Sequence, residues 1–521
     1  MSHPGICRAV KPVSRRTFLR LGGAGALAAA GLASRARSSA LTASETRSSL
    51  VVPSNARQAL AALGRGSLRY PESLPFPDLA PGTDTLPQIQ NFVVLMMENH
   101  SYDNFLGTLK RSSANGPADG FRMDRAAVTS WNPNGVLAGN PNGQGEFQWA
   151  FHMPTTCQHS GSPTQEWSAS HEQYNKGKLN GFVTGVSYGE SAAGPVAMAY
   201  WNADDVPVLS SLASTFPLAD RWFQSVLGQT DPNRRYLIAA TSAGMTDDIQ
   251  ISATGLDERG IVQDTTLPLP SNGTIFDLLS AFDISWTCYT ASWPTGTTSS
   301  LYPDEDLALT EVNEKALDDF FTDAAAGSLP AFSFLDEDYT TQSQENPQDI
   351  VVGEQLIYDV VTALADSPNW DSTMLILNYD EHGGYYDHVA PPAALAPDAV
   401  PPIVEPGQKT YDGFERLGFR VPAVVISPYS RPDWVTHTVY DHASVLAMIE
   451  SKWNLPAMTW RDANANDLTD FLDPVALANT EPRSFDDICP NLASPAPSNC
   501  PAVAPTLPLE GTYGKTPLPP H

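Results

Sequence analysis

Two carboxylates follow a short apolar run in the second half of the chain. Residues 374–377 are all apolar, and Asp380 and Glu381 come shortly after them, ahead of His382 and a pair of glycines. A continuously apolar run is typical of a strand that is covered on both faces of a parallel sheet. Ligands of open α/β sheets bind beyond the carboxyl ends of such strands. The pattern makes Asp380 and Glu381 candidates for a metal site or for acid–base chemistry, although a solvated turn would carry the same residues.

A second apolar run ends in the same way. Residues 92–97 precede Glu98 and Asn99, and both side chains offer the oxygen ligands that hard divalent cations prefer. The alternative is structural: Asn99 or Ser101 caps the start of a helix.

Thr230 stands near the predicted start of a helix. Asp231 favours the N-cap position, and Pro232 favours the first helical position. The backbone N–H groups and the dipole at such an end attract an anion such as phosphate. A hydroxyl beside a metal ion there is placed to attack phosphorus. The alternative is that Thr230 only caps the helix.

Asp441 and His442 precede an amphipathic helical pattern over residues 445–453. Asp441 or Ser444 would suit the N-cap of that helix. His442 taken alone is more typical of a buried, hydrogen-bonded histidine than of a catalytic one.

The elements that must position these residues follow from the repeat of apolar runs. Such runs occupy residues 92–97, 331–335, 374–377 and 421–426, with helical patterns between them. That alternation predicts an α/β fold in which helices flank a central, mostly parallel sheet. The polar, Gly- and Asn-rich segment 115–191 is predicted to be an insertion over the active face.

The first 40 residues have the features of an export signal. Residues 14–20 include paired arginines, residues 21–33 are weakly apolar, and small residues follow; this arrangement is typical of a twin-arginine signal. The apolar part is too short to span a bilayer, and no other stretch is long enough. Residues 1–40 hold seven Lys/Arg and no acidic residue, so their removal changes the net charge from −28 to −35. Such an acidic chain is not expected to bind nucleic acid.

The cysteines fit an oxidising compartment. Cys489 and Cys500 flank a Pro- and Ser-rich loop and are predicted to form a disulfide. Cys157 and Cys288 are the remaining possible pair. None of these cysteines has the spacing of metal ligands.

Together the motifs resemble the bacterial phospholipase C/acid phosphatase (phosphoesterase) family, which is related in fold to the alkaline phosphatases and sulfatases. The resemblance runs in order from about Asn91 to Asp473. It is carried by Glu98-Asn99-His100-Ser101-Tyr102-Asp103, Asp220-Arg221-Trp222-Phe223, Thr230 with Pro232-Asn233-Arg234, Asp380-Glu381-His382-Gly383-Gly384-Tyr385-Tyr386-Asp387-His388, Gly418-Phe419-Arg420, Asp441-His442 and Arg461-Asp462-Ala463-Asn464.

The resemblance implies one divalent metal ion held by oxygen donors. Its expected ligands are Glu98, Asn99, Thr230, Asp380 and Glu381. Oxygen ligands favour Ca²⁺, Mg²⁺ or Mn²⁺ over Zn²⁺.

The resemblance also implies roles around that ion. Thr230 would be the nucleophile, Asn99 would help to stabilise the phosphoryl charge, and His442 would protonate the leaving group. The substrate pocket would be lined by His171, Arg234, Gln165, Asn346 and Asp441.

Two of these positions depart from the family pattern. Gln165 and Asn346 stand where many members carry histidine, and both are expected to face the substrate. His159 or His171 could compensate. The departures bear on the choice of substrate more than on the metal.

The sequence therefore predicts an exported, metal-dependent phosphoester hydrolase that acts through a phospho-threonine. The substrate would be a small phosphoester or a phospholipid headgroup, and the oligomeric state is left open. The predicted divisions are a signal peptide (1–40), an N-terminal extension (41–87), the phosphoesterase catalytic domain (88–480) and a Pro-rich tail (481–521). The alternative is a non-catalytic binding protein that retains the fold.

Overall fold

The computed structural model describes most of the chain after the predicted signal segment. The described residues are 51–121, 138–158, 163–185, 194–248, 269–291, 301, 313–404, 407–498, 500 and 516–517. The predicted signal peptide and His159 lie outside them.

An eight-stranded sheet forms the centre of the molecule. Its strands are β1 (Asn91–Met97), β2 (Leu218–Ala219), β3 (Trp286–Thr290), β4 (Glu314–Ala316), β5 (Phe332–Asp336), β6 (Thr373–Tyr379), β7 (Ala423–Ile426) and β8 (Val435–Thr436). Their order across the sheet is β4-β3-β5-β1-β6-β7-β2-β8. Only β7 runs antiparallel to its neighbours. The prediction of a mostly parallel central sheet is confirmed.

Twelve α-helices occur among the described residues. They are α1 (Ala56–Ala62), α2 (Tyr102–Leu106), α3 (Trp167–Tyr174), α4 (Pro207–Thr215), α5 (Thr230–Ala239), α6 (Ile275–Ala281), α7 (Leu317–Ala326), α8 (Ile350–Ala365), α9 (Ala443–Trp453), α10 (Trp460–Asn464), α11 (Pro474–Asn479) and α12 (Phe485–Ile488). Short strands, outside the central sheet, lie at Ser112–Ser113, Gly116–Pro117, Gly139–Pro141, Glu146–Trp149, Phe151–His152, Ala199–Tyr200 and Thr516–Pro517.

Burial explains why the apolar runs became strands. All seven residues of β1 and all seven of β6 are buried, and the two strands pair in parallel near the middle of the sheet. Each is covered on both faces, so residues 92–97 and 374–377 are consecutively apolar instead of alternating with polar residues. Helix α8 shows the complementary pattern: Ile350, Ile357 and Leu364 recur every seven residues and are buried.

The disulfide differs from the prediction. Cys157 pairs with Cys500, across a sequence separation of 343 residues and a Cα–Cα distance of 5.6 Å, whereas Cys288 and Cys489 are buried free thiols. Both predicted pairs, Cys489–Cys500 and Cys157–Cys288, are therefore wrong. Cys489 ends α12 and points its sulfur at Thr215 Oγ1 of α4, 3.9 Å away. Cys489 and Cys500 are close in sequence but do not pair, because Cys500 lies beside Cys157 while Cys489 lies against α4.

Within the residues that the structure covers, the helices are all too short or too polar to serve as a membrane span.

Candidate active site

The candidate site begins where β1 and β6 end side by side. Met97 and Tyr379 are paired neighbours at the ends of these parallel strands, and Asp380 N donates to Met97 O at 3.0 Å. Glu98 and Asp380 therefore leave the sheet at the same edge, where both are fully enclosed. This is the edge at which open α/β sheets bind ligands.

The two carboxylate oxygens of Asp380 have different surroundings. Oδ1 accepts hydrogen bonds from the backbone N–H groups of Asn99, at 3.0 Å, and Glu381, at 2.6 Å. Oδ2 has no hydrogen-bond partner among the described residues; Arg234 Nε lies 3.6 Å from it. A buried carboxylate oxygen left without a donor is costly unless a cation or proton reaches it.

Glu381 is arranged in the same way. Its Oε2 accepts from Gly383 N at 2.8 Å, and its Oε1 has no partner among the described residues. Gly383 has a φ of 61°, and a Cβ there would lie 1.9 Å from Asn99 O. Glycine is thus required for the close approach of the two loops that carry the carboxylates.

Thr230 is the first residue of α5, and its hydroxyl turns toward the strand ends. Thr230 Oγ1 donates to Glu98 Oε1 at 2.6 Å. The N-cap is Gln229, and Asp231 lies in the first turn, so the helix begins two residues earlier than Asp231 and Pro232 suggested. Thr230 is therefore not the N-cap residue of α5, and its hydroxyl contacts a carboxylate outside the helix.

Arg234 follows Thr230 by one helical turn and is the counter-ion of the acidic cluster. Its Nη2 lies 2.7 Å from Glu98 Oε2 and 3.8 Å from Glu337 Oε1. Its Nη1 lies 3.3 Å from Asp336 Oδ1. The side chain is only 1% exposed. Carboxylates surround the guanidinium in this structure, and the substrate-binding role of Arg234 stays a prediction.

The cluster holds more negative charge than Arg234 can balance. Burial and the neighbouring Asp380 carboxylate raise the pKa values of Glu98 and Glu381 well above their usual range. Burial raises the pKa of Glu337 to about 8 and, together with Asp380, that of Glu345 to about 7. Raised pKa values mean that the carboxylates repel one another in a poorly solvated space. A bound cation would relieve that repulsion.

The donor set fits a hard divalent cation, but the oxygens stand apart. Within the described part of the chain, the only three Cys, His, Asp or Glu side chains whose ligand atoms lie mutually within 4.8 Å are Cys157, Asp349 and Cys500, and the two sulfurs are bonded to each other. The pocket formed by Glu98, Asp380 and Glu381 is therefore wider than a closed coordination sphere. The orphaned oxygens of Asp380 and Glu381 still give it the all-oxygen chemistry of a Ca²⁺, Mg²⁺ or Mn²⁺ site.

The amide positions meet the site in different ways. Gln165 Nε2, just before α3, donates to Asn99 Oδ1 at 3.4 Å, so this part of the predicted insertion does reach the active face. Asn346 Oδ1 accepts from the Tyr385 hydroxyl at 3.2 Å. Gln165 therefore contacts one predicted metal ligand, Asn99, and Asn346 contacts the loop that follows Asp380 and Glu381.

His171 is held by other contacts. Its Nδ1 lies 2.7 Å from Trp167 O, its Nε2 lies 3.6 Å from Asp412 Oδ1, and Tyr411 stacks on its ring at 4.0 Å. These described contacts do not connect His171 to Thr230 or to the carboxylates of Glu98, Asp380 and Glu381.

His442 and Asp441 lie behind the pocket. His442 Nε2 is 2.7 Å from the main-chain oxygen of Asp380, and its Nδ1 is 3.2 Å from Asn378 Nδ2. Asp441 Oδ2 pairs with Arg461 Nη1 at 3.1 Å. Burial lowers the pKa of His442. In this structure protein groups contact both ring nitrogens of His442 and the Asp441 carboxylate. The predicted roles, proton donor for His442 and pocket lining for Asp441, stay predictions.

Sequence reasoning missed a set of supporting residues. Gln224 Oε1 accepts from His382 N at 2.9 Å, and Gln173 Oε1 lies 2.7 Å from His382 Nε2. Ser225 Oγ donates to Asp441 Oδ2 at 3.0 Å. No pattern around these Gln and Ser residues distinguishes them from surface polar residues, so the sequence carried no signal for them.

Comparison with known proteins gives the family. The Phosphoesterase family pattern matches residues 89–456. Phospholipase C B of Mycobacterium tuberculosis is 29% identical over 485 residues, which cover 83% of this chain and 86% of that protein. Non-specific phospholipase C1 of Arabidopsis thaliana is 31% identical over 395 residues, which cover 72% of this chain and 69% of that protein.

A solved structure from Vibrio parahaemolyticus, a protein in the alkaline phosphatase superfamily, aligns with 60% of this chain and 71% of that chain. The alignment has 12% identity and a TM-score of 0.30, which is too low to support an argument. The family pattern and the curated relatives decide the assignment. The chain is a phosphoric ester hydrolase that belongs to the Phosphoesterase family.

Proposed function

We propose that this protein is a metal-dependent hydrolase that cleaves a phosphoester through a covalent phospho-threonine at Thr230. The observation that carries the proposal is the 2.6 Å hydrogen bond from Thr230 Oγ1 to Glu98 Oε1 at the start of α5. Beside it, Asp380 and Glu381 each present one oxygen without a partner among the described residues. A hydroxyl, a proton acceptor and carboxylate oxygens without described partners thus meet at the first residue of α5.

A divalent metal ion would be held by Glu98, Asn99, Thr230, Asp380 and Glu381. When bound, it would lower the pKa of the Thr230 hydroxyl and offset negative charge on the phosphoryl oxygens. The all-oxygen ligand set favours Ca²⁺, Mg²⁺ or Mn²⁺ over Zn²⁺.

Thr230 performs the first displacement. Its Oγ1 proton passes to Glu98, Oγ1 forms a bond to phosphorus, the bond from phosphorus to the leaving oxygen breaks, and the leaving oxygen takes a proton from solvent water. A second water then attacks phosphorus and gives one proton to solvent, the Oγ1–phosphorus bond breaks, and Oγ1 takes its proton back from Glu98 as the phosphoryl product is released. The Asn99 side chain would help to stabilise the charge on the phosphoryl oxygens in both steps.

The proposed substrate is a small phosphoester or the phosphodiester of a phospholipid headgroup. The curated relatives named above are phospholipases C, which supports the second possibility. Gln165, in contact with Asn99, would donate an amide N–H to the substrate where many family members carry histidine. An amide cannot give up a proton as imidazolium does, so this site would depend on its metal and on water for proton transfer.

One experiment tests this function. Purified full-length protein, loaded in turn with Ca²⁺, Mg²⁺, Mn²⁺ or Zn²⁺, is assayed with p-nitrophenyl phosphate and p-nitrophenylphosphorylcholine. A brief reaction is then quenched with acid, and peptides are analysed by mass spectrometry. We expect turnover of one substrate and a phosphate on Thr230. Metal binding without turnover of either substrate would instead support a non-catalytic binding protein.

We also propose that the protein is exported by the twin-arginine route. The support is the paired Arg15-Arg16 motif with the apolar segment that follows it. Replacement of both arginines by lysine is expected to retain the protein inside the cell, as measured by cell fractionation. Unchanged export of that variant would overturn the assignment.

A further inference from the structure

His442 lies directly behind the turn that carries the predicted metal ligands. It is the residue before α9 and is completely buried. Its Nε2 is 2.7 Å from the main-chain oxygen of Asp380. Its Nδ1 is 3.2 Å from Asn378 Nδ2 and 3.5 Å from Trp222 Nε1.

The partners fix where the proton of the imidazole lies. The Trp222 indole N–H can only donate a hydrogen bond, and the Asn378 Nδ2 group is also a donor. His442 Nδ1 must therefore accept, so the neutral ring carries its proton on Nε2. That proton is donated to the Asp380 carbonyl, which can only accept.

The main chain of His442 is held as well. His442 N donates to Ser225 Oγ at 3.2 Å, and Ser225 Oγ donates to Asp441 Oδ2 at 3.0 Å. Asp441 in turn pairs with Arg461 of α10, whose guanidinium is buried. A continuous chain of hydrogen bonds thus runs from α10 through His442 to Asp380.

We infer that His442 is a positioning residue that holds the Asp380–Glu381 turn, and with it the metal-binding carboxylates, through the Asp380 carbonyl. The inference rests on the proposed function for the identity of the site. The Asp380 carbonyl belongs to the peptide that links the two carboxylates, so a hydrogen bond there restricts how both side chains face the pocket. Outer groups of this kind orient the metal ligands of many proteins.

Two nearly isosteric variants separate this role from simple packing. His442→Gln places an amide N–H near the position of Nε2 and can still donate to Asp380. His442→Asn ends at the position of Nδ1, so it can face Asn378 and Trp222 but cannot reach Asp380. His152→Asn, at an exposed histidine paired with Asp205, is the control for loss of a histidine.

The first measurement is the dissociation constant for Mn²⁺ by calorimetry on metal-free protein. We expect His442→Asn to weaken Mn²⁺ binding by about 10- to 100-fold, and His442→Gln to restore most of that loss. Equal losses in the two variants, or parental affinity in both, would overturn the positioning role.

The second measurement compares leaving groups at saturating Mn²⁺. If His442 is a positioning residue, His442→Asn should lower kcat by the same factor for p-nitrophenyl phosphate and for a simple alkyl phosphate. A loss confined to the alkyl phosphate, whose leaving oxygen needs a proton, would show that His442 is the general acid and overturn the inference. A parent protein inactive on both substrates would contradict the proposed function, while the Mn²⁺ titration would still decide the role of His442.

Discussion

At the scale of single residues, the site is built from carboxylates that each do two things. Asp380 and Glu381 both use one oxygen to hold backbone N–H groups, and the other oxygen has no hydrogen-bond partner in the described part of the chain. Glu98 instead spans two partners, the Thr230 hydroxyl and Arg234. The ligand geometry is thus fixed by the same side chains that would hold the ion, so a change at any of them alters fold and chemistry together.

Thr230 gives the sharpest test at this scale. Thr230→Ala should lower kcat by at least about a thousandfold, because the proposed covalent nucleophile is lost, while Thr230→Ser should keep measurable turnover. Loss of the hydroxyl leaves Glu98 Oε1 without a donor and costs about 1–3 kcal/mol of stability. Thr246→Ala, which removes another buried hydroxyl, is the control. Near-parental turnover by folded Thr230→Ala would mean that water attacks the phosphoester directly.

Asp380→Asn should separate stability from function. The amide keeps an acceptor for the N–H groups of Asn99 and Glu381 but removes a charge that raises the pKa values of Glu98 and Glu381. We therefore expect the metal-free variant to melt a few degrees higher than the parent and to bind Mn²⁺ at least about tenfold more weakly. Differential scanning calorimetry and a metal titration measure the two effects. A lower melting temperature with unchanged Mn²⁺ affinity would contradict this account of the cluster.

At the scale of elements, one buried arginine ties together the loops around the site. Arg420 Nε pairs with Asp387 after β6, Nη2 pairs with Asp103 of α2, and Nη1 donates to Asp220 O after β2. Several of the motif residues that carry the family resemblance belong to this network and not to the pocket. Their role is to hold three chain segments in register behind the ligands.

His388 makes this network sensitive to pH. Burial and, to a smaller extent, the nearby Arg420 lower the pKa of His388. Asp103 and Asp119 have the larger opposite effect and raise the pKa to about 9. The unfolded value is about 6.5. Protonation therefore stabilises the fold fully below about pH 6.5, and this contribution falls by about 1.4 kcal/mol per pH unit until it is lost above about pH 9.

Urea unfolding of the parent and of His388→Asn between pH 6 and pH 10 measures that contribution. The difference in unfolding free energy between the two proteins should shrink across this range, since other groups that titrate there cancel in the difference. A difference that stays constant with pH would show that His388 is not protonated in the folded protein.

The sequence was most informative where burial imposes a pattern. The apolar runs that became β1, β5, β6 and β7 could be recognised because strands covered on both faces admit few polar residues. The placement of Glu98 and Asp380 beside each other followed from two such strands ending at one edge.

The contacts of Arg234 and His442 could not be predicted in this way. The family resemblance implied that Arg234 binds substrate. Its actual surroundings are the carboxylates of Glu98, Asp336 and Asp380, which come from the ends of β1, β5 and β6. His442 depends on a carbonyl 62 residues away in the chain. Neither contact leaves a local sequence signal.

At the scale of the whole molecule, both ends of the described chain are fastened to the body. The segment before β1 is held by Asn454, which donates to the carbonyls of Phe76, Leu79 and Ala80. At the other end, the Cys157–Cys500 disulfide joins the tail to a loop beside α8, where Ile350 N donates to Thr156 O. The terminal regions thus contribute to the stability of the catalytic core.

The disulfide gives the last prediction. Because it closes a loop of 343 residues, removal with Cys500→Ser should lower the free energy of unfolding by about 2–5 kcal/mol through the added freedom of the unfolded chain. Cys489→Ser, at a free thiol against Thr215, should change it by much less and serves as the matched control.

Peptide mapping of the unreduced protein should recover one fragment that joins Cys157 to Cys500. A fragment that joins Cys489 to Cys500, together with a larger loss of stability in Cys489→Ser, would place the tail differently from the structure described above.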